Sequence, residues 1–596
     1  MNIRDYLKDN ILVTDGAMGT YFGEIMGNVL SCEMASIKKP EIIRRIHREY
    51  IKAGAKLIRT NTFSANSFSM NIEKEKLSEL LKASYNIAKN VAKMDAFVGC
   101  SIGPLHESQK KRKNEFDYFP EYKFIIDTLL DEGADIFIFE TFGSIDYLEK
   151  ISNYIKSRNK DAFILTQFSV MADGYTRRGN SIKKIIKETR KIDSIDAFGL
   201  NCGSGPAHIY NILKSLELSR NDIVSVLPNA GYPEIINGRM VYVNNPGYFS
   251  EKILEIAKYG AKIVGGCCGT TPEHIKEIVQ KLNGDQHLNF EIQPPEMIYK
   301  KNLHSEKNSF REKIENNEFV VAVELDPPFN IELDQMLKNA QICKQNGIDL
   351  LTIADSPRGM ARVDSLMVAS KIKNDIDIEV MPHICCRDKN MNALKSGIMG
   401  AHINGIRNIL AITGDPVLDI DNVYTKSVFN MNSYELINMI NNMNEDLFTD
   451  DEILIAGALN LNVKNKNSQM GRLKKKSEKG AKIYLTQPIY SDDVIDYLKN
   501  MQRGEEKILA GILPIVSYKN AEFLNNELPG IDIPEKYVNL FKNIKNKNLA
   551  IETGIDISAN IIEEIKDYVD GIYFITPFNK IEIITEVMRK TNLLEI

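Results

Sequence analysis

The sequence predicts an α/β protein made of two tandem (β/α)₈ TIM barrels joined by a polar linker. The length of 596 residues fits this fold, because one such barrel takes about 250 residues. Short apolar runs alternate with amphipathic stretches in both halves, and a polar stretch without this alternation separates them. A doubly wound open sheet in each half is the alternative that the alternation alone leaves open.

In the first half, the predicted strands are short runs rich in β-branched and aromatic residues. They cover residues 11–16, 55–63, 96–104, 135–142, 162–170, 197–203, 222–230 and 262–269. Amphipathic helices are predicted between them, for example over residues 41–54 and 183–192. Eight strands, each followed by a helix, predict the first barrel over residues 1–285.

Residues 286–315 are polar and contain Pro294-Pro295, which predicts a linker. The second set of predicted strands covers residues 319–328, 350–357, 379–386, 408–416, 453–460, 482–490, 508–516 and 571–578. This set predicts the second barrel over residues 316–596. Because function in such barrels lies on the loops that follow the strands, polar residues at strand ends are the candidates for chemistry.

The composition argues against two classes of protein. Lys and Arg total 75 against 80 Asp and Glu, a net charge of −5, which does not suit a nucleic-acid or membrane-surface protein. No apolar run approaches the length of about 20 residues that a membrane span needs. The amino-terminal sequence MNIRDYLKDN lacks the apolar core of a signal peptide, so we expect a cytoplasmic protein.

Three cysteines lie at strand ends of the first half: Cys202 in GLNCG, and Cys267 and Cys268 in GGCCG. The sixth and eighth strands lie on the same side of a closed barrel, so the three sulfurs are expected to converge. Three thiolates leave one tetrahedral position open, which is the pattern of a catalytic zinc site. The alternative, that a cysteine is merely a small buried apolar residue, suits the cysteines that are not at strand ends.

A zinc ion held by three thiolates is electron-rich and activates water poorly. A fourth thiol that binds there loses its proton and remains a strong nucleophile at neutral pH. The sequence therefore predicts alkylation of a substrate thiol.

Residues 1–285 resemble the homocysteine S-methyltransferases through TDGAMGT (14–20), GLNC and GGCCGTTP, which occur in the family's order. The resemblance implies that the sulfur of homocysteine takes the open zinc position and attacks a methyl donor. The family positions that hold the amino and carboxylate ends of the substrate match Asp15, Gly16, Thr20 and Glu140. Asn229 also matches a family site position. The structural alternatives are a helix N-cap for Asp15 and a buried ion pair for Glu140.

In the second half, Glu324 lies in the apolar run VVAVELDPP, where a carboxyl group has a raised pKa and can act as a general acid. His383, Asp415, Lys476 and Gln487 occur in further strand-associated motifs. The structural alternatives are an ion-paired carboxylate for Glu324, a core histidine for His383, a turn at Asp415 and a solvated helix face for Lys476. Their shared position after strands favours a functional site.

Residues 315–592 resemble the methylenetetrahydrofolate reductases through VELDPP, HICCRD, RNILAITGDP, LTQPIY and GILPI. The family binds FAD in the mouth of the barrel and reduces its substrate with NAD(P)H. The resemblance implies flavin contacts from five residues, namely His383, Arg407, Gly414, Asp415 and Lys476.

The same resemblance assigns the folate site. Gln487 would hydrogen-bond the pterin ring, and Tyr518 would stack on the aminobenzoate. Glu324 would donate the proton that opens methylenetetrahydrofolate, and Asp415 would tune the redox chemistry of the flavin. Cys385-Cys386 is interpreted as packing near the flavin and not as a metal site, because no third cysteine of this half ends a strand.

The methyl donor is left open. Methyl transfer from a neutral folate amine is slow without cobalamin, and no D-x-H-x-x-G sequence for a corrinoid occurs in the chain. We therefore expect either an onium donor, such as S-methylmethionine or betaine, or a separate corrinoid protein.

Two rival functions are a zinc-storage or structural double barrel without catalysis and a zinc enzyme that alkylates another thiol. The sequence does not distinguish NADH from NADPH and does not decide whether the chain forms a homo-oligomer. The expected partners are small-molecule substrates, with no nucleic acid and no membrane.

Overall fold

The structure is a computed structural model that describes residues 2–27, 30–105, 117–236, 239–242, 244–284, 308–414, 427–501, 504–528 and 530–594. The chain divides into two compact units, Met1–Lys300 and Lys301–Ile596. Most of the predicted linker, residues 286–307, lies outside the described residues. Among the described residues, no helix is both long enough and apolar enough to cross a bilayer.

The described part of the first unit contains ten strands. They are β1 (Leu12–Val13), β2 (Leu57–Arg59), β3 (Phe97–Ile102), β4 (Ile136–Phe142), β5 (Phe163–Phe168), β6 (Ala197–Asn201), β7 (Val224–Leu227), β8 (Pro233–Ile236), β9 (Arg239–Tyr242) and β10 (Ala261–Val264). Eight of them are parallel, in the order β1-β10-β7-β6-β5-β4-β3-β2. The ring closes between β1 and β2, where Thr14 pairs with Leu57 and the Lys56 amide donates to the Val13 carbonyl at 2.8 Å.

Helices surround this barrel, one of them at its amino-terminal end. They are α1 (Ile3–Asp9), α2 (Gly19–Met26), α3 (Cys32–Lys38), α4 (Pro40–Lys52), α5 (Ser67–Met70), α6 (Lys74–Ala92), α7 (Phe119–Asp131), α8 (Leu148–Arg158), α9 (Ile182–Thr189), α10 (Pro206–Lys214), α11 (Pro246–Lys258) and α12 (Pro272–Gly284). The remaining strands, β8 and β9, form an antiparallel hairpin after β7 that the sequence pattern does not predict.

The second unit is a closed barrel of eight parallel strands in sequential order. They are β11 (Val320–Leu325), β12 (Leu350–Ile353), β13 (Val380–Cys385), β14 (Asn408–Ile412), β15 (Leu454–Leu459), β16 (Ile483–Pro488), β17 (Lys507–Ile512) and β18 (Gly571–Ile575). The structure therefore confirms the prediction of two tandem (β/α)₈ barrels.

The helices of the second unit lie between and after these strands, with one before them. They are α13 (Ser309–Glu315), α14 (Asp334–Gln345), α15 (Ser365–Ile376), α16 (Met391–Ile403), α17 (Ser433–Asp446), α18 (Lys466–Ser477), α19 (Asp492–Asn500), α20 (Tyr518–Glu527), α21 (Glu535–Phe541), α22 (Lys547–Ile565) and α23 (Ile581–Lys590). Polar caps start several of them; α17, for example, begins with a capping box between Asn432 and Glu435.

A short helix closes the amino-terminal end of each barrel. In the first barrel, Ile3 and Leu7 of α1 pack against the apolar strand residues that fill the interior of the barrel. In the second, Phe310 and Ile314 of α13 do the same, and this helix lies inside the range 286–315 that the sequence predicts as linker. Because the strands are parallel, all of their carboxyl ends lie at the opposite, polar end of each barrel.

Candidate active sites

Three thiols meet at the carboxyl end of the first barrel. Cys202 follows β6, Cys267 and Cys268 follow β10, and β7 lies between these two strands. The end of β7 holds both segments, because the Cys202 amide donates to the Leu227 carbonyl at 3.1 Å and the Cys267 amide to the Pro228 carbonyl at 2.8 Å. The three sulfur atoms lie within 4.8 Å of one another. Within the described ranges, this is the one group of three or more His, Cys, Asp or Glu side chains with metal-binding spacing.

Close backbone approach brings the thiols to these positions. Cys202 has a φ of +57°, a left-handed conformation that costs a residue with a side chain on the order of 1 kcal/mol. Gly265 and Gly266 have no room for a side chain, because a Cβ would lie 2.1 Å from Thr14 Oγ1 and 2.3 Å from Thr270 Oγ1. The glycines of the GGCC motif therefore bring the β10 loop against the β1 loop.

The thiols perturb one another strongly. The thiols of Cys267 and Cys268 donate hydrogen bonds toward Cys202 and lower its pKa. The pKa of Cys267 is raised by its bonds to the other two thiols and by burial, and the bond to Cys202 also raises that of Cys268. Three sulfur ligands that share negative charge at this spacing suit a soft divalent cation such as zinc.

Asp15 and Glu140 are joined by a buried arginine, Arg59. Arg59 Nε donates to Asp15 Oδ1 and its Nη1 donates to Glu140 Oε2, each at 2.7 Å. Ser101 donates to the other oxygen of Glu140. Burial raises the pKa of Asp15 against the opposing charge of Arg59. Asp15 does not cap helix α2, whose N-cap residue is Met18, and the ion-pair alternative for Glu140 is present.

The other predicted substrate residues of this barrel border the thiols. Thr20 Oγ1 accepts from the amide of Gly269, next to Cys268, at 3.0 Å. A Cβ on Gly16 would lie 2.6 Å from Thr270 Oγ1, in the loop after the thiols. The Asn229 amide bonds to Cys202 and helps to lower its pKa, while Asn229 Oδ1 is buried and has no hydrogen-bond partner among the described residues.

Tyr242, on the β8–β9 hairpin, also reaches the thiols. Its hydroxyl hydrogen-bonds to Cys268, and burial followed by the charge of Cys268 raises the pKa of the tyrosine. Its ring lies against Gly269, which has a φ of +79°.

A cavity of about 460 Å³ opens at the carboxyl end of the second barrel. The loops and last residues of seven of the eight strands line it. The lining residues are Glu324, Ala354, Asp355, Ser356, Pro357, His383, Arg387, Leu410, Ile412, Thr413, Gly414, Ala458, Leu485, Thr486, Gln487, Tyr573 and Ile575.

Glu324 lies in the wall of this cavity, with 16% of its side chain exposed. Burial, with the nearby charge of Asp326, raises its pKa to about 8, although a hydrogen bond from Tyr573 opposes the shift. His383 Nε2 lies 3.6 Å from Glu324 Oε2 and has no hydrogen-bond partner in the described structure. Burial lowers the pKa of His383 to about 4. At neutral pH the cavity therefore holds a protonated carboxyl group beside a neutral imidazole.

Glycine is required at position 414 of the cavity wall. Gly414 has a φ of +90°, and a Cβ there would lie 2.0 Å from Cys385 Sγ. Cys385 is buried beneath it, and its amide donates to Asp355 Oδ2 at 3.1 Å. Cys386 is buried in the layer between strands and helices. The cysteine pair thus packs behind the cavity wall.

The other predicted flavin and folate residues are placed unevenly. Gln487 lines the cavity, whereas Lys476 lies behind it and donates to the Ala458 carbonyl at 2.7 Å. Burial, followed by the charge of Arg472, lowers the pKa of Lys476 to about 8. Tyr518 begins helix α20 and is not among the lining residues. Asp415 lies outside the described residues.

The predicted flavin contact of Arg407 is not supported by its position. This residue precedes β14 and so lies at the amino-terminal end of the barrel, away from the cavity. Its guanidinium group is bonded to Asp451 at 2.6 Å and to the carbonyls of His402 and Ile406. The residues of the same motif that line the cavity are Leu410, Ile412, Thr413 and Gly414, which lie toward and after the other end of the strand.

Sequence reasoning did not identify five residues that form these sites: Arg59, Tyr242, Asp355, Arg387 and Tyr573. Most of them carry a detectable signal, because a charged or hydroxyl-bearing residue at or near the end of an otherwise apolar strand is unusual. Tyr242 carries none, since its hairpin interrupts the strand-helix alternation.

Comparison with known families gives a match for each barrel. The first matches the model for homocysteine S-methyltransferase over residues 12–282. The second matches the model for methylenetetrahydrofolate reductase over residues 309–592.

Curated relatives include two methionine synthases. The protein from Mycobacterium leprae (strain TN) is 29% identical over 325 residues, which cover 49% of this chain and 26% of that protein. The protein from Mycobacterium tuberculosis (strain ATCC 25618 / H37Rv) is 29% identical over 300 residues, covering 46% and 25%. The chain spans about a quarter of the length of these relatives.

Solved structures similar to the chain include the homocysteine methyltransferase MmuM from Escherichia coli. Its metallated form is 20% identical, with a TM-score of 0.40, and the match covers 47% of this chain and 99% of that one.

Proposed function

The chain belongs to the homocysteine S-methyltransferase family in its first half and to the methylenetetrahydrofolate reductase family in its second, and we propose that it has two activities. The first barrel transfers a methyl group to the sulfur of homocysteine and gives methionine. The second reduces 5,10-methylenetetrahydrofolate to 5-methyltetrahydrofolate with NAD(P)H. The observation that carries the proposal is that each barrel presents its reactive groups at its carboxyl end, three thiols in one and a carboxyl group with a raised pKa in the other.

The thiols of the first barrel fit a zinc ion. Three sulfur donors within 4.8 Å of one another match its preference for soft ligands, and a three-ligand set is typical of catalytic zinc. Cys202, Cys267 and Cys268 would hold the metal. When bound, zinc with one open position lowers the pKa of an incoming thiol and keeps its sulfur nucleophilic.

The residues around the thiols supply the remaining functions of the first site. Glu140 and Asp15 offer negative charge to the ammonium group of the substrate, and the Gly16 and Thr20 loop lies beside the thiols where its carboxylate would bind. Tyr242 donates a hydrogen bond to Cys268 and so fixes the orientation of that sulfur.

The cavity of the second barrel fits a flavin. Its volume of about 460 Å³, the close backbone approach at Gly414 and the unpartnered His383 Nε2 suit a large planar ring with polar edges. Bound FAD would carry hydride from NAD(P)H to the folate. His383, Gly414, Asp415 and Lys476 would hold it.

Glu324 supplies the proton in the second site. Because its pKa is raised to about 8, most of its carboxyl groups are protonated at neutral pH. The proton is available to a nitrogen of methylenetetrahydrofolate, whose ring then opens to the cation that accepts hydride. Gln487 faces the same cavity and is the candidate for the pterin, with Tyr518 as the candidate for the aminobenzoate.

Folate is not the direct methyl donor in this proposal. The nitrogen of methyltetrahydrofolate is a poor leaving group, so the first barrel uses an onium donor or a separate corrinoid protein. Mixing the purified chain with homocysteine and methyltetrahydrofolate, with no corrinoid present, tests this. Prompt formation of methionine would contradict it.

Metal analysis and a visible absorption spectrum of the purified full chain test the two cofactors together. We expect about one zinc per chain, because three thiolates form one site, and the absorption bands of oxidised flavin. Assays of thiol methylation and of NAD(P)H oxidation then test the activities. A colourless protein without zinc would favour a structural double barrel. Zinc with methylation of a different thiol would favour another alkyltransferase.

A further inference from the structure

Arg59 is the most heavily bonded side chain near the thiols. It lies at the carboxyl end of β2, and its side chain is 8% exposed. Besides its bonds to Asp15 and Glu140, its Nη2 donates to the carbonyls of Gly16 at 2.7 Å and Gly266 at 2.8 Å. Its backbone amide donates to Asp15 Oδ2 at 2.8 Å. One guanidinium group thus ties together the loops after β1 and β10, strand β2 and the end of strand β4.

The charges of this cluster do not cancel. Asp15 and Glu140 contribute two negative charges and Arg59 one positive charge, which leaves one net negative charge in a buried position. An amino-acid substrate brings one ammonium group.

We infer that Arg59 is a positioning and specificity-determining residue that sets this site to one negative charge and so selects a thiol that carries an ammonium group. The inference rests on the proposed thiol methylation. Both oxygens of Asp15 bind Arg59 itself, so Asp15 acts through the arginine. The oxygens of Glu140, each of which accepts one hydrogen bond in the structure, can accept a further one from the substrate.

Arg59 also sets the distance between the protein groups that bind the two ends of the substrate. Gly266, which it holds, is the residue before Cys267. The same guanidinium therefore positions the carboxylates for the ammonium and the backbone of the sulfur ligands. A short amino thiol is the substrate class that spans such a site.

The experiment compares two thiols that differ only in the ammonium group, L-homocysteine and 4-mercaptobutanoate. Isothermal titration calorimetry on the zinc-loaded full chain gives the ratio of their Kd values. Because both ligands are titrated into the same preparation, the ratio does not depend on how much protein is folded. We expect the unmodified chain to prefer homocysteine by about tenfold or more, since one charge-assisted hydrogen bond has that value.

The variants change the charge in steps. Asp15→Asn makes the cluster neutral, and its preference for homocysteine should fall to nearly one. The double variant Asp15→Asn with Arg59→Gln restores one net negative charge, so the preference should return. Glu140→Gln, a second route to neutrality, should lose the preference as Asp15→Asn does. Arg4→Gln removes the ion pair with Asp196 near the other end of the same barrel and should leave the ratio unchanged.

A purely structural role for Arg59 predicts that the double variant binds both thiols more weakly and keeps the Kd ratio of Asp15→Asn, near one. That result, or a Glu140→Gln chain that keeps its preference, would overturn the inference. If the double variant does not fold, Glu140→Gln still decides. If the unmodified chain binds neither thiol, the proposed function itself fails.

Discussion

The two barrels share one scaffold but leave different groups unsatisfied at their carboxyl ends. In the first, the carboxylates that face the site are already bonded to Arg59 and Ser101, and three thiols are left to share charge. In the second, His383 Nε2 has no partner in the described structure, and Glu324 is protonated beside a cavity of about 460 Å³. The first arrangement suits one small ion and a small substrate. The second suits a large planar cofactor.

The largest expected effect is the loss of zinc from the first barrel, which should leave the activity of the second barrel unchanged. Cys268→Ala removes one of three sulfur donors, so we expect loss of zinc and of thiol methylation, with NAD(P)H oxidation intact. Metal analysis and both assays on one preparation measure this. Cys100→Ala, a buried cysteine of the same barrel outside the cluster, is the matched control and should keep its zinc. Loss of both activities in Cys268→Ala would mean that the barrels are coupled.

The next effect concerns the proton of the second site. Glu324→Gln keeps the size of the side chain but cannot donate a proton to the folate. We expect folate reduction to fall by about 10²- to 10⁴-fold, while NAD(P)H still reduces the flavin. Stopped-flow absorbance separates the two half-reactions. Glu332→Gln, at an exposed position after the same strand, should change neither. If flavin reduction also fails in Glu324→Gln, the acid role is wrong.

The pH dependence sharpens the same assignment. The pKa of Glu324 is raised to about 8, so folate reduction should be fastest below that pH and fall about tenfold per unit above it. The hydrogen bond from Tyr573 lowers this pKa, so Tyr573→Phe should move the decline to higher pH. A pH profile of the oxidative half-reaction tests both, and an unmoved decline in Tyr573→Phe would assign the titration to another group.

The sequence predicts which residues lie at the ends of strands better than it predicts which side chains they bond to. Cys202, Cys267 and Glu324 lie where the end of an apolar run indicates. The prediction for Arg407 is wrong because the motif RNILAITGDP spans a whole strand: Arg407 directly precedes the strand, and about 20 Å of extended chain separates it from the loop at the other end.

Partners are harder to predict because they depend on register across the barrel. Arg59 and Glu140 are distant in sequence, and no local pattern indicates that β2 and β4 bring them together. The hairpin that carries Tyr242 lacks a periodic pattern that would place it over the thiols.

A smaller effect concerns the stability of the first barrel, where His47 is buried in the core, in contrast to His383, which lines the cavity of the second barrel. His47 of α4 is fully buried, and neither ring nitrogen has a hydrogen-bond partner in the part of the chain that the structure describes. Burial lowers its pKa to about 4. Since its unfolded pKa is higher, near 6.5, its contribution to stability is complete above that value and is lost as the pH falls toward 4. We expect a loss of about 2 kcal/mol in the free energy of unfolding at about pH 5.

Denaturant unfolding of the full chain at neutral and acidic pH measures this loss. Circular dichroism is the probe, because the sequence has no Trp whose fluorescence could report unfolding. His47→Leu should reduce the difference between neutral and acidic pH, whereas the exposed His208→Leu should keep it. An equal pH dependence in all three proteins would show that His47 does not titrate on unfolding.

The smallest expected effect tests whether the amino-terminal end of the second barrel is free of cofactor chemistry. Arg407→Gln breaks the ion pair with Asp451, so its Tm should fall, but the flavin Kd should change by less than about twofold because the cavity is untouched. Gly414→Ala is the opposing control, since a Cβ there would lie 2.0 Å from Cys385 Sγ, and it should lose flavin. Flavin fluorescence titration measures both. If the Arg407→Gln chain loses flavin at a temperature where it is fully folded, Arg407 contributes to flavin binding after all.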